Sequence, residues 1–321
     1  MARRLLLAEV MLGAFLATAP AAAQLQPGKP IRLVTSGVGG STDFVARQLA
    51  QGLNAVLQRP VIVDNRGSSV VPGETVAKAQ PDGHTLLVTS GGILWVLPFY
   101  QQVPYDAVKD FAPVSMLAAF PSVLAVNAGV AGNSIKEFID YARAKPGTLN
   151  YVMTAEGGSA HLAALQFSVL AGVKMVAVPY KNTGTAMTDL LSGQVQLFFS
   201  AAGTVMPHVK TGKLKALGVT SARASPIVPD VPPISSVLPG YDMESVLCLF
   251  APAQSPAAVI HFLNKEVKNA LSQPEVKERF LDAGIEPRSS TAAELGKLRS
   301  EDVARMALLI KNSKAVSASS R

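Results

Sequence analysis

The amino-acid sequence predicts an α/β protein of two lobes, each a mostly parallel sheet flanked by helices. Apolar strand-like runs alternate with helical patterns along nearly the whole chain, the order that builds parallel sheets covered by helices. Four of those runs empty into short loops of Gly, Ser and Thr, each followed at once by a helical pattern. They are IRLVTS (31–36) into VGGSTD (38–43), LNYVMT (149–154) into EGGSAH (156–161), MVAVPY (175–180) into KNTGT (181–185), and VQLFFS (195–200) into AAGT (201–204). Two points divide the chain, one at Phe120 and Pro121, the other between Pro239 and Glu244.

The elements follow in order. Residues 1–23 combine a basic start at Arg3 and Arg4, a short apolar stretch and small residues at Ala21 and Ala23, the pattern of an export signal peptide. The stretch contains Glu9 and is shorter than the roughly 20 residues a spanning helix needs. Lobe 1 is expected to comprise 24–120 with 245–321, and lobe 2 to comprise 121–244. After the first strand, Thr42 or Asp43 is the expected N-cap of a helix that carries Phe44, Leu49, Leu53, Val56 and Leu57 on one face. PVIVDN (60–65) and HTLLVTS (84–90) read as strands, and Asp82-Gly83 as a turn. Past Pro121, SVLAVN leads to Ser134 and Glu137, spaced as a capping box for a helix that ends before Pro146. LKALGVT and VLCLFAP are the last strong strand runs, separated by a Pro- and Ser-rich surface loop at 226–239. Two lobes joined by two extended crossings would gather all four Gly/Ser/Thr loops around one cleft.

The formal charge is +7. Removing Arg3, Arg4 and Glu9 with the export segment lowers it by one, to +6. The basic residues are scattered rather than gathered on one face with aromatics between them, which argues against a nucleic-acid partner. Cys248 is the only cysteine and sits in an apolar run, so it reads as a small buried hydrophobe and no internal disulfide is possible. His84, His161, His208 and His261 stand far apart without metal-ligand spacing, and no GxSxG, GxGxxG or GxxxxGK[ST] pattern is present. No catalytic residue, metal or cofactor is therefore expected.

The ordered set KPIRLV, GGSTDFVARQLA, RPVIVDNR, VAKAQPDGHTLLV, VPYDAVKDFAPVS, KPGTLNY, GGSAHLAA, VPYKNTGTAMTDLLSGQVQLFF, GKLKALGVTS, VPDVPPI and LFAPAQSP spans almost the whole mature chain. In order and spacing it resembles the tripartite tricarboxylate transporter substrate-binding proteins, the Bordetella-uptake-gene type. The resemblance implies a monomeric periplasmic solute-binding protein with the type II, venus-flytrap fold. It also implies a small organic anion as ligand and a membrane permease of large and small subunits as partner. Three departures stand out: Thr35, Ser36, Gly37 and Val38 replace a Val-Pro-Phe or Val-Pro-Tyr segment and are one residue shorter, Val246 and Leu247 replace a tryptophan region, and Arg305-Met306 replaces a Lys-Trp pair.

The expected ligand-binding residues follow from the loops. Gly39 and Gly40 permit close backbone approach, and Ser41 and Thr42 offer hydroxyls at a helix start. Ser90 and Gly91 end a strand of the same lobe, with Trp95 close behind. Gly158, Ser159 and Ala160 open a helix of the second lobe, with Ser159 the foremost side-chain donor. Tyr180, Lys181 and Asn182 form the PYK-type turn of the resemblance, and Ser200 and Thr204 complete the rim. A sensory subunit of a two-component system and an exported hydrolase or isomerase are the alternative functions.

Overall fold

The computed structural model describes residues 25–26, 28–154 and 157–318, with side chains to residue 312. The expected export segment at 1–23 lies outside the described residues. The elements are β1 (Ile31–Thr35), α1 (Ser41–Leu57), β2 (Val61–Asn65), α2 (Val71–Ala77), β3 (Thr85–Ser90), β4 (Phe111–Phe120), β5 (Ser122–Asn127), α3 (Ile135–Ala144), β6 (Leu149–Met153), α4 (Ser159–Ala171), β7 (Met175–Pro179) and α5 (Thr183–Ser192). They continue with β8 (Leu197–Ala201), α6 (Ala202–Lys210), β9 (Leu214–Val219), β10 (Ser245–Pro252), α7 (Ala257–Ser272), α8 (Pro274–Asp282), β11 (Glu286–Pro287) and α9 (Ala292–Ala318). A π-helical turn at Gly92–Val96 and a 3₁₀ turn at Leu97–Phe99 follow β3, and a second 3₁₀ turn lies at Ile234–Ser236.

One sheet has the order β11-β4-β10-β3-β1-β2 and the other β7-β6-β8-β5-β9. The α/β class and the two-lobed arrangement are as the sequence predicts, but the sheets are mixed rather than mostly parallel. β1 pairs in parallel with β2 and β3, and β6 with β7 and β8, whereas β10 runs antiparallel to β3 and β4, and β5 to β8 and β9. The cause is the path of the chain. β5 and β10 are the strands that arrive from the other sheet, so each enters at the edge where its neighbours end and must run against them.

Local chemistry sets the helix starts. Ser134 caps α3 as expected, Glu137 N–H donating to Ser134 Oγ (3.2 Å), while the Glu137 carboxylate reaches one residue further back than in a capping box and accepts from Asn133 N–H (2.7 Å) at Oε2. For α1 the sequence expectation needs correction: the helix starts at Ser41 and its N-cap is Gly40. Asp43 instead turns back into the preceding loop, where it accepts from Gly39 N–H (2.9 Å). The second sheet is centred on a run of edge-to-face and tilted rings, Phe138, Phe167, Phe199 and Tyr241, with centroids about 6 Å apart. Phe111, Phe250 and Trp95 play that part beside the first.

The chain leaves the first sheet between Phe120 and Ser122 and returns to it between Val219 and Ser245. The two crossings are bonded to each other. Ser122 N–H donates to Thr220 Oγ1 (2.7 Å), Thr220 N–H to Ser122 O (2.9 Å), and Met243 N–H to Thr220 O (2.8 Å), with Thr220 fully buried. Thr220→Val keeps the shape but leaves the Ser122 N–H unpaired in the interior. It should lower unfolding free energy by about 1–3 kcal/mol in a denaturant titration, and an unchanged midpoint would show that the bond contributes nothing.

Candidate functional site

A cavity of about 280 Å³ opens where the two sheets meet. Ser41 at the start of α1, Ser90 and Gly91 at the end of β3, and Gly158 and Ser159 at the start of α4 all line it. Five of the expected residues, from three loops of both sheets, therefore converge. Each of the two helices whose N-termini reach the cavity is capped by a glycine, Gly40 for α1 and Gly158 for α4, with no side-chain bond to the first turn. By contrast α3 and α5 fill a first-turn donor themselves, with Ser134 and Asn182. Helix N-termini without side-chain caps present N–H donors and about half a positive charge each.

The loop before α1 is held rigidly. Gly39 takes φ = +88°, a conformation that favours glycine. Buried Asp43 receives Gly39 N–H, Asn65 Nδ2 (2.8 Å) and Arg47 Nε (2.9 Å), while Asn65 Nδ2 also donates to Ser36 O (2.9 Å) and Ser36 Oγ lies 2.6 Å from Thr42 Oγ1. Burial pushes the Asp43 carboxyl up, but the Gly39, Asn65 and Arg47 donors outweigh it and hold the group below the usual carboxylate range. The short 35–38 segment thus folds back on the helix start, leaving Val38 exposed. Ser90 Oγ accepts from Ile93 N–H (3.2 Å), starting the π-helical turn.

Beneath that turn lies Trp95, buried and donating through Nε1 to Asp302 Oδ2 (2.7 Å). A Cβ at Gly91 would stand 2.3 Å from its ring, so glycine is required for the indole to lie there. Asp302 also receives the Arg305 guanidinium, which reaches the Asp242 carbonyl as well. Glu244 is gripped by both Arg288 nitrogens (2.7 and 3.2 Å), and Arg288 is shared with Glu286 (2.8 Å). Burial raises the Glu244 carboxyl above its ordinary value, with Arg288 opposing. Val96, Leu97, Phe120, Leu162, Val246 and Met306 supply the apolar wall.

The remaining expected residues do not line this cavity. Gly39 and Gly40 shape the α1 loop from outside, Thr42 is buried against Ser36, and Ala160 is buried in α4. Tyr180, Lys181 and Asn182 follow β7, the edge strand of its sheet. Tyr180 donates to Asp189 Oδ2 (2.8 Å), Lys181 is exposed, and Asn182 caps α5 by accepting from Thr185 N–H (2.9 Å). Ser200 is buried within β8 opposite Val123, and Thr204 lies in the first turn of α6. Sequence reasoning missed Glu244, Asp302 and Arg305, single charges far from any Gly/Ser/Thr loop. Cys248 is buried, and burial pushes its thiol well up, with Asp302 adding and Arg299 opposing. Among the described residues no group of three His, Cys, Asp or Glu side chains is placed to hold a metal ion, and no helix is long and apolar enough to cross a membrane.

Comparison with known proteins gives a consistent picture. The family described as "Tripartite tricarboxylate transporter family receptor" matches residues 45–314. A protein of Bordetella bronchiseptica is 36% identical over 312 residues, covering 94% of this chain and 91% of its own. Among solved structures, Rpa4515 of R. palustris with adipate superposes with a TM-score of 0.74 at 29% identity, covering 90% of this chain and 98% of its own. MatC of Rhodopseudomonas palustris with bound malate gives 0.72 at 29%, covering 89% and 100%. The fold is that of the two-lobed periplasmic binding proteins.

Two measurements check the geometry. Trp95 is the only tryptophan, so tryptophan emission reports on the packing beneath Gly91. Gly91→Ala should displace the indole and red-shift its emission, whereas an unchanged spectrum would refute the close approach. Asp43 has a depressed folded pKa, so its stabilisation is present above the unfolded value of about 3.9 and is lost as pH falls through the folded value. Asp43→Asn should therefore lower stability at neutral pH and flatten the loss below about pH 4, read from denaturation midpoints across that range.

Proposed function

Because the chain belongs to the tripartite tricarboxylate transporter receptor family, we propose that it captures a small organic carboxylate in the cavity between its sheets and delivers it to the membrane subunits of such a transporter. The observation that carries the proposal is the convergence of two glycine-capped helix N-termini, α1 from one sheet and α4 from the other, on one cavity. A carboxylate there receives donors and partial positive charge from both sides without a dedicated arginine or lysine. The volume of about 280 Å³ lies at the small end of ligand sites and suits a compact acid. Adipate and malate in the two R. palustris proteins are carboxylates of that class.

Binding couples to closure because the ligand touches groups attached to both sheets. The Phe120–Ser122 and Val219–Ser245 crossings are the hinge, and contacts made only when the lobes approach shift the population toward the closed form. The place of action is the periplasm, reached through the N-terminal export segment, and the partner is a permease with large and small subunits. The protein acts by binding and release, as befits a receptor family.

The test is titration calorimetry of the mature chain against mono-, di- and tricarboxylates, with Ser159→Ala alongside. At least one carboxylate should bind. Ser159→Ala should weaken it by about tenfold or more, since a hydrogen bond to a charged group contributes about 1.5–3 kcal/mol. Binding of none of the acids would overturn the proposal. Undiminished affinity in Ser159→Ala would remove the α4 hydroxyl from the site.

A further inference from the structure

The far side of the cavity has a charge that a simple di- or tricarboxylate receptor would not want. In the antiparallel pair β3–β10, Leu247 lies opposite Ser90. The residues before Leu247 therefore project past the end of β3, over the cavity, and Glu244 is among those that line it. The α1 terminus follows β1, on the opposite flank of β3. Two strand spacings separate β1 from β10, roughly 10 Å, so the α1 terminus and Glu244 stand at opposite ends of a space that one small molecule spans.

Charges at the Glu244 end do not offer a seat for an anion. Arg288 faces Glu244 but is shared with Glu286, so that cluster of two carboxylates and one guanidinium sums to −1. Arg305, the cation among the cavity-lining residues, is compensated by Asp302 and also bound to the Asp242 carbonyl. A second carboxylate of the ligand would meet Glu244 and Asp302, and like charges brought together in a partly desolvated site are strongly unfavourable. A hydrogen-bond donor or an ammonium would find carboxylate oxygens with lone pairs beyond those used by the Arg288 fork.

We propose that Glu244 is a specificity-determining residue that selects a ligand with a carboxylate at one end and a cationic or hydrogen-bond-donating group at the other, and rejects a second carboxylate there. The proposal rests on the carboxylate-binding function of the same cavity and narrows its ligand class to zwitterions and donor-bearing monocarboxylates.

The experiment compares matched pairs by calorimetry, 4-aminobutyrate against succinate and 6-aminohexanoate against adipate, in the wild-type protein and in Glu244→Gln. The wild type should bind the amino acid of at least one pair about tenfold or more tightly than its diacid. Glu244→Gln, which keeps shape and a polar partner for Arg288, should erase most of that preference while changing diacid affinity little or raising it. Equal or tighter diacid binding by the wild type would overturn the inference yet leave the carboxylate-receptor function standing, and so would a preference that survives Glu244→Gln. Binding of neither series, together with failure of the wider acid panel, would overturn both. The wild-type comparison needs no variant, so it remains decisive even if Glu244→Gln folds poorly.

Discussion

Two chain crossings, tied to one another at Ser122, Thr220 and Met243, set where every other part of the site must lie. β4 ends at one crossing and β9 at the other, and β5 and β10 begin there, so the crossings meet the sheets at the edge where β3, β6 and β8 also end. Loops that follow parallel strands are helix entries, and the same constraint that turns β5 and β10 antiparallel brings the entries of α1 and α4 to one cavity. Backbone hydrogen bonds in the interior make the junction definite, because an unpaired buried N–H or C=O is costly.

The cavity divides its chemistry between backbone and side chain. On the helix side the charge comes from aligned peptide groups, fixed by Gly39, Asp43 and Asn65 for α1 and left open by the Gly158 cap for α4. Such donors need no reorganisation when an anion arrives, and they carry no counter-charge that must be stripped away. On the other side stand Glu244, Asp302 and Arg305, all with partners in the protein. Behind the Gly91 turn that lines the cavity, the buried Trp95 indole is bonded to Asp302 and admitted by Gly91. Asymmetry of this kind favours an asymmetric ligand.

Much of this arrangement is legible in the sequence, and the illegible part has a physical cause. Strands and their following loops show because β-branched runs and Gly/Ser/Thr clusters are local signals, and Ser41, Ser90, Gly91, Gly158 and Ser159 follow from them. Strand direction is not encoded in side-chain alternation, so the mixed pairing of β5 and β10 came only with the chain path. Hydroxyl-rich loops look alike whether they serve a ligand or their own helix; Asn182 and Ser200 are spent on capping and packing, while Ser159 is not. The Trp95–Asp302 bond joins residues 207 apart in the chain, and Glu244 gains its position from the register of β10. Neither leaves a local pattern to read.

The most direct test is a crystal structure of the mature protein with a bound carboxylate taken from the calorimetric panel. The account predicts carboxylate oxygens within hydrogen-bond distance of backbone N–H groups at the start of both α1 and α4, near Ser41 and Ser159. A carboxylate seated instead on Lys181, or held by Arg305 with neither helix terminus in contact, would contradict it.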